Sequence, residues 1–174
     1  MTLDETSSVI YVGARKHVYR LHADNITQFE KSPELESAPG SVAICKNRKE
    51  FVEEFHCRNH IRYIFEVSDV IEVCGTGAYK PRTFQLNKTD LSIIKSGGRT
   101  SGYVKCPYGP DHNSTAIFIE TGNPSNASAI YSATFEDIAA SEPVIYRPSV
   151  GDSPYLRSVK NDRYVFLSML QLWL

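Results

Sequence analysis

Four cysteines are the residues of this 174-residue chain with the clearest covalent chemistry. Their number is even, their spacings are wide, and no two of them form a Cys-x-x-Cys pair. Because a structural zinc site normally takes two ligands from one tight turn, this spacing favours disulfide bonds over a metal site. Four cysteines allow three pairings, and sequence alone does not select among them. The residues are Cys45, Cys57, Cys74 and Cys106.

Four asparagines begin Asn-x-Ser/Thr triplets, the acceptor pattern for N-linked glycosylation. They are Asn25, Asn87, Asn113 and Asn126. We expect Asn113 to be the most reliable acceptor, because its triplet precedes a predicted strand, and we expect partial occupancy of Asn25 and Asn87 at strand ends. Together with the cysteines, these triplets indicate an extracellular protein. The alternative is a cytosolic all-β enzyme with reduced thiols and unmodified asparagines.

Other patterns that could suggest catalysis or ligand binding lack the spacing that their chemistry needs. The HCRNH segment at 56–60 places two histidines beside a cysteine, but neighbouring side chains on a strand point to opposite faces, so a metal cluster is not expected. The glycine-rich stretch 96–102 lacks the Gly-Lys-Ser/Thr of a phosphate loop. Asp111 and His112 stand in a proline-rich loop, and the chain has no Gly-x-Ser-x-Gly motif. We therefore expect no enzyme, no metal and no cofactor.

The charge and the hydropathy of the sequence limit which classes of partner the chain would bind and whether it would contain a membrane segment. The chain has 19 basic and 20 acidic side chains and no long basic run, which argues against nucleic acid as the main partner. Its longest apolar stretch, YVFLSMLQLWL at 164–174, is well short of the roughly 20 residues of a membrane-spanning helix. The opening MTLDETSSVIYVG has no basic segment followed by an apolar one. We therefore expect neither a membrane segment nor a signal peptide in this chain.

Short β-branched and aromatic runs separated by turn residues dominate the sequence. Residues 68–69 predict a two-residue hairpin, residues 15–16 predict another tight connection, and segment 47–57 has fair helical periodicity. The predicted strands are 9–14, 17–22, 60–67, 70–77, 83–87, 115–120, 129–135 and 143–147. The predicted loops are 31–41, 95–102 and 121–128.

Many short strands without interleaved helices predict an all-β fold, either a sandwich, a barrel or a propeller. A propeller blade of four antiparallel strands takes about 40–50 residues, so this chain would form roughly three or four blades. That number is too small to close a ring. An unclosed propeller would expose the apolar face of its last blade and leave strand edges open.

Three ordered segments resemble the sema domain of the semaphorins. They are HCRNHIRYIFEVSDVIEVCGTGAYKPRTFQL, GYVKCPYGPDHNSTAIFIETGNPSNASAIYSATFEDI and PVIYRPSVGDSPYLRSVKND. The motifs CGTGAY and KCPYGPDHNSTA are the most distinctive, and IYVGARKHVYRL resembles the family's first-blade hairpin. The match covers about residues 9–163, and the ending 164–174 departs from the family pattern. Thr83 stands where many semaphorins have a cysteine. This difference, together with Cys106 and the IETGNP segment, makes the chain most similar to the secreted invertebrate class 2 semaphorins.

The resemblance implies an incomplete seven-bladed β-propeller, with residues 1–174 forming about the first three blades of a partial sema domain. It implies an extracellular guidance ligand that binds plexin receptors, is a homodimer in its full-length parent and acts as a chemorepellent in axon guidance and cell migration. It also favours a Cys45–Cys57 disulfide, with Cys74–Cys106 as the remaining pair. Two alternatives stay open, a sema-domain portion of a receptor ectodomain and a truncated product without function.

Overall fold

Three four-stranded antiparallel sheets make up most of the structure, a computed structural model that describes residues 1–4, 7–94 and 99–159. Within each sheet, hydrogen-bonded neighbours are also neighbours in sequence. Successive four-stranded meanders are the blades of a β-propeller. The prediction of an all-β, partial propeller of about three blades is therefore confirmed.

The strands have the following bounds. Sheet 1 contains β1 (Thr2–Asp4), β2 (Val9–Gly13), β3 (Val18–His22) and β4 (Phe29–Lys31). Sheet 2 contains β5 (Ile61–Val67), β6 (Val70–Gly75), β7 (Arg82–Asn87) and β8 (Arg99–Ser101). Sheet 3 contains β9 (Thr115–Ile119), β10 (Ala129–Phe135), β11 (Pro143–Arg147) and β12 (Leu156–Arg157). Helices α1 (Pro39–Lys46) and α2 (Glu53–His56) lie between β4 and β5, and a 3₁₀ turn spans Pro124–Asn126.

The strands predicted from alternating apolar runs form where the pattern placed them, with ends that differ by one or two residues. The two-residue hairpin at 68–69 is also confirmed, since β5 and β6 pair through Val67 and Val70. Ser68 supplies the left-handed backbone of this turn, with φ of 55°. Strands and tight turns can be predicted from the sequence because side-chain alternation and turn geometry involve only neighbouring residues.

The helical prediction at 47–57 is wrong in its bounds. The first helix begins at Pro39, inside the predicted loop 31–41, and α2 retains only Glu53–His56 of the predicted segment. Proline suits the first turn of a helix, because its φ is already helical and its missing N–H would have had no partner there. The proline that suggested a loop therefore starts α1.

The glycine-rich stretch also differs from its prediction. Residues 95–98 lie outside the described residues, but Arg99–Ser101 forms β8 and pairs with β7. The prediction of a loop over 95–102 is therefore wrong for residues 99–101. The departing segment 164–174 lies outside the described residues as well. No helix within the described ranges has the length and apolar character needed to cross a bilayer.

An apolar core joins sheets 1 and 2. The side chains that face it from β2 alternate with residues on the opposite face of sheet 1. Tyr11 and Phe84 are the largest fully buried side chains in this core. Its buried members are Val9, Tyr11, Val18, Leu35, Ile64, Ile71, Val73, Phe84, Leu86 and Leu91.

The opposite face of sheet 1, here called the outer face, carries a row of apolar cross-strand partners. The row runs from β1 to β4 through Leu3, Ile10, Leu21 and Phe29. Its ends are open, because Leu3 is 53% exposed and Phe29 is 56% exposed. Side chains of this kind are normally covered in a folded protein, so the row is a surface suited to a further packed layer.

Candidate functional site: the clasp between sheets 2 and 3

The first disulfide joins Cys45 of α1 to Cys57 at the end of α2, with Cα atoms 5.6 Å apart. Both cysteines are at most 2% exposed and cluster with Ala78, and Tyr79 packs against the same cluster. The bond thus holds the helical excursion between sheets 1 and 2 against the loop that follows β6.

The HCRNH segment uses its side chains in contacts with the protein. Cys57 is bonded to Cys45, His56 Nε2 lies 2.8 Å from Asp111 Oδ2, and His60 Nε2 lies 2.7 Å from the Phe55 carbonyl oxygen. The strand geometry assumed for this segment is wrong, since His56 ends α2 and residues 57–59 belong to no helix or strand. The segment thus contributes to both the disulfide and the contact with the loop around Asp111.

The second disulfide joins Cys74 of β6 to Cys106, in the connection of residues 102–114 between β8 and β9. Both cysteines are fully buried, and their Cα atoms are 5.7 Å apart. Thr83 is the direct cross-strand partner of Cys74 on β7, and its hydroxyl is hydrogen-bonded to that of Thr100. With threonine opposite Cys74, the Cys74 sulfur bonds to a more distant part of the chain.

The CGTGAY motif forms a left-handed loop that positions Tyr79. Gly77, Ala78 and Tyr79 have φ of 59°, 58° and 61°, a region that side chains disfavour. The Tyr79 ring stacks on Phe51, and Gly109 of the 102–114 connection lies so close to it that an added Cβ would be 3.0 Å from the ring. Burial, assisted by the charge of a nearby carboxylate, raises the pKa of Tyr79 to about 12, so its hydroxyl stays protonated.

The KCPYGPDH motif forms the other half of the contact. Arg62 of β5 donates hydrogen bonds to the carbonyl oxygens of Pro110, at 2.7 Å, and His112, at 3.2 Å. The His112 ring meets the edges of Tyr79 and of Phe135 on β10, with centroids 6.1 and 6.0 Å away. The 102–114 connection is therefore held between sheets 2 and 3. We call this arrangement of Arg62, Tyr79, His112 and the Cys74–Cys106 bond the clasp.

The electrostatics of the clasp keep its histidine neutral near pH 7. Burial lowers the pKa of His112 against the opposing effect of the carboxylates of Asp111 and Asp137. Its Nδ1 atom is buried without a hydrogen-bond partner among the described residues. Burial also lowers the pKa of Arg62. Its guanidinium group donates hydrogen bonds to two carbonyl oxygens, which partly replace the lost water. These titratable groups are engaged in packing and in hydrogen bonds to the backbone.

A polar cluster complements the apolar core between sheets 1 and 2. Lys88 Nζ lies 2.9 Å from Asp4 Oδ2 on β1 and also binds the carboxylate of Glu66 on β5. Hydrogen bonds from Ser7 and Lys88 hold the pKa of Asp4 below its usual range. Glu66 and Asp4 raise the pKa of Lys88 in turn. No motif marked this cluster in the sequence, because its charges come from distant parts of the chain.

A second polar link passes through Asn59, which is 1% exposed. Its side-chain amide donates to the Leu35 carbonyl oxygen and accepts from the Gly77 N–H at 2.9 Å. Its backbone carbonyl accepts from Lys16 at 2.8 Å. Asn59 therefore ties the connection after β4 to the CGTGAY loop. The only sequence signal for this role was its place in the HCRNH segment.

The four acceptor asparagines are all exposed, which leaves room for a glycan at each. Asn25 lies between β3 and β4, and Asn87 ends β7. Asn113 precedes β9, and Asn126 ends the 3₁₀ turn. The four asparagines are spread over separate turns, so they do not form a single site. Their modification remains a prediction.

The sequence of this chain is similar to sequences of known proteins. No protein-family model matches the chain. Semaphorin-2A of Drosophila melanogaster is 31% identical over 177 residues, which cover 97% of this chain and 24% of that protein. The homologues of this chain are semaphorins. The resemblance drawn from the CGTGAY and KCPYGPDHNSTA motifs is therefore confirmed.

Solved structures agree with this assignment. Drosophila Semaphorin 2a superposes with a TM-score of 0.82 at 29% identity, over 94% of this chain and 28% of that chain. A structure of Drosophila Plexin A in complex with Semaphorin 1b matches with a TM-score of 0.67 at 25% identity, over 93% of this chain and 28% of that one. The fold is that of a sema domain, and the chain spans about a quarter of the length of these Drosophila semaphorins.

Proposed function

We propose that this chain is part of an extracellular semaphorin-type guidance ligand that binds a plexin-type receptor. The observation that carries the proposal is the superposition on Drosophila Semaphorin 2a, at a TM-score of 0.82, together with 31% identity to Semaphorin-2A. The match to a structure of Plexin A in complex with Semaphorin 1b supports the receptor class. In the full-length parent, the ligand would be a homodimer and act as a chemorepellent in axon guidance and cell migration.

The covalent framework supports an extracellular location. Both disulfides are buried, and one of them fixes the connection between sheets 2 and 3. Buried structural disulfides of this kind form in the secretory pathway, because the cytosol keeps thiols reduced. Thiol titration of the secreted, denatured chain should find no free thiols, whereas the cytosolic alternative requires four.

The side-chain chemistry supports recognition in place of catalysis. His112 and Asp111 are neighbours in the proline-rich loop, and there His112 packs between two aromatic rings while Asp111 contacts His56. A general base needs a nucleophile or a substrate within hydrogen-bond reach, and His112 Nδ1 is buried without a hydrogen-bond partner among the described residues. The arrangement therefore fits a rigid binding scaffold.

The outer faces support a longer propeller as the functional unit. The apolar row from Leu3 to Phe29 is open on sheet 1, and Ile117 on the first strand of sheet 3 is 58% exposed. Further blades packed against these sheets would cover such side chains. We infer that receptor binding belongs to the assembled ring, with these three sheets as one sector of it.

A chimera tests the proposal. Residues 9–157 would replace the corresponding segment of Drosophila Semaphorin 2a, and binding of the secreted chimera to plexin ectodomains would be measured by surface plasmon resonance beside the unmodified protein. We expect affinity within about tenfold of the unmodified ligand, a difference of about 1.4 kcal/mol, and collapse of growth cones. A secreted, monodisperse chimera that binds no plexin would contradict the proposal. Binding to a semaphorin instead would indicate a receptor ectodomain.

A further inference from the structure

Two of the four acceptor asparagines each lie in a hydrogen-bonded turn of the same type. The backbone N–H and the hydroxyl of Thr27 both donate to Asn25 Oδ1, at 3.2 and 2.6 Å. The backbone N–H of Thr89 donates to Asn87 Oδ1 at 2.8 Å, and its hydroxyl donates to the same oxygen. In both triplets the asparagine is therefore already oriented toward the hydroxyl residue that completes the acceptor pattern.

The other two acceptors have a different local geometry. Asn113 leads into β9, and Thr115 of its triplet is a strand residue paired with Ala133. Asn126 has a left-handed backbone, with φ of 51°, at the end of the 3₁₀ turn. Within the described residues, neither asparagine receives a hydrogen bond from the hydroxyl residue two positions later.

The turn matters for the chemistry of the side-chain amide. In N-glycosylation the bond from sugar C1 to the diphosphate of a lipid-linked oligosaccharide breaks, a C1–Nδ2 bond forms, and Nδ2 loses a proton as the lipid diphosphate leaves. The amide nitrogen is a poor nucleophile because its lone pair is delocalised into the carbonyl. Two hydrogen bonds to Oδ1 stabilise negative charge on that oxygen and make the Nδ2 proton easier to remove.

We propose that Asn25 and Asn87 are the principal N-glycosylation sites of this chain, because their local turns preorganise the amide for transfer. This order differs from the sequence expectation, which ranked Asn113 first. The inference rests on the proposed function, since it requires entry into the secretory pathway.

Because these hydrogen bonds are short-range, they can form before the chain has folded, when glycosylation takes place. Each joins residues two positions apart, so its donor and its acceptor belong to the same triplet. Asparagine turns of this kind form in short segments as an alternative to regular structure. They are therefore available in a chain that is still entering the endoplasmic reticulum, where acceptor triplets meet the transferase.

Site-by-site occupancy tests the proposal. The full chain would be expressed behind a secretion signal and both cell-retained and secreted protein collected. Enzymatic deglycosylation in ¹⁸O water would then convert each occupied asparagine to labelled aspartate for mass spectrometry. We expect occupancy at Asn25 and Asn87 at least about twofold above that at Asn113 and Asn126, an effect within the range of one or two hydrogen bonds. Because folding is not required, cell-retained protein should show the same order.

Asn113 and a Ser128→Thr variant serve as controls. The Asn113 triplet already ends in threonine, and Ser128→Thr gives Asn126 the same hydroxyl residue without the turn. Both should remain below Asn25 and Asn87. If Asn113 exceeds them, or Ser128→Thr lifts Asn126 to their level, the turn does not set occupancy and the proposal is wrong. Plexin binding by the chimera and the absence of free thiols test the proposed function separately, whatever the order of occupancy.

Discussion

Tyr79 stacks on Phe51 with ring centroids 4.1 Å apart and ring planes inclined by 7°. Phe51 belongs to the connection between α1 and α2, and Tyr79 belongs to the left-handed CGTGAY loop. The Cys45–Cys57 bond packs beside the same ring. This stack therefore links the helical excursion to the clasp, where His112 and Gly109 of the second resemblance motif lie against Tyr79.

Replacing Tyr79 with leucine should lower the free energy of unfolding by about 2–4 kcal/mol, because a half-buried aromatic ring is lost from a packed site. Tyr79→Phe keeps the stack and should cost less than about 1 kcal/mol. Urea denaturation followed by circular dichroism measures both variants. A Tyr79→Leu variant as stable as the parent chain would contradict this role.

The control for this series is Tyr103→Leu, because Tyr103 is 45% exposed. Its effect should stay within about 0.5 kcal/mol. A double-mutant cycle that combines Tyr79→Leu with Phe51→Leu should return a coupling energy of about 1 kcal/mol. A coupling near zero would show that the stacked rings do not stabilise each other.

Gly77→Ala should be strongly destabilising, by about 2–3 kcal/mol, because φ at Gly77 is +59° and an added Cβ would lie 2.2 Å from the Lys80 carbonyl oxygen. Gly40→Ala in α1 is the matched control, since an added Cβ there meets nothing within 4 Å. That substitution should be neutral or stabilising by up to about 1 kcal/mol. Thermal unfolding measures the melting temperatures of the two variants. Equal melting temperatures would show that an added Cβ at residue 77 does not clash with the Lys80 carbonyl.

Local features of the fold could be predicted from the sequence, and long-range contacts could not. The hairpin at 68–69 and the strand β10 were predicted correctly because turn chemistry and alternation act between neighbouring residues. The Cys74–Cys106 pair required the resemblance, because spacing leaves three pairings open. The ion pairs of Lys88 could not be predicted, because its partners Asp4 and Glu66 lie in other strands. A single lysine forms no sequence motif that would indicate such contacts.

The strands β1, β4, β8 and β12 were missed for a different reason. Each contains only two or three residues, fewer than alternation needs to be recognised. Their pairing depends on the longer strands β2, β3, β7 and β11, which supply the hydrogen-bonding edge. Tertiary context, not intrinsic preference, therefore decides these segments.

Asp4 should make the chain sensitive to strong acid. Its folded pKa lies below its unfolded value because Ser7 and Lys88 donate hydrogen bonds to the carboxylate. A depressed carboxyl pKa stabilises the fold above the unfolded pKa of about 3.9, and this contribution is lost as the pH falls further. Asp4→Asn should remove that part of the acid dependence, as measured by urea unfolding between pH 5 and pH 2. The exposed Asp152→Asn is the control, and identical acid profiles for the two variants would rule out the role of Asp4.

His112 should make the clasp sensitive to milder acid. Burial lowers its folded pKa below the unfolded value of about 6.5, so the folded chain binds fewer protons than the unfolded chain in that range. Stability contributed by the neutral ring is therefore present above pH 6.5 and lost as the pH falls toward the folded pKa. The charged groups around the ring are Asp111, Asp137 and Arg62.

The substitution His112→Phe tests this dependence, because phenylalanine keeps an aromatic ring against Tyr79 and Phe135 and removes the buried Nδ1 that lacks a partner. The Arg62 hydrogen bond is retained, since it goes to the backbone carbonyl of residue 112. We expect unchanged or higher stability at pH 7.5 and a smaller loss of stability between pH 7.5 and pH 5.5. The exposed His22→Gln should keep the loss seen in the parent chain. If His112→Phe also keeps it, the pH dependence arises from other groups, and the clasp does not respond to protonation of His112.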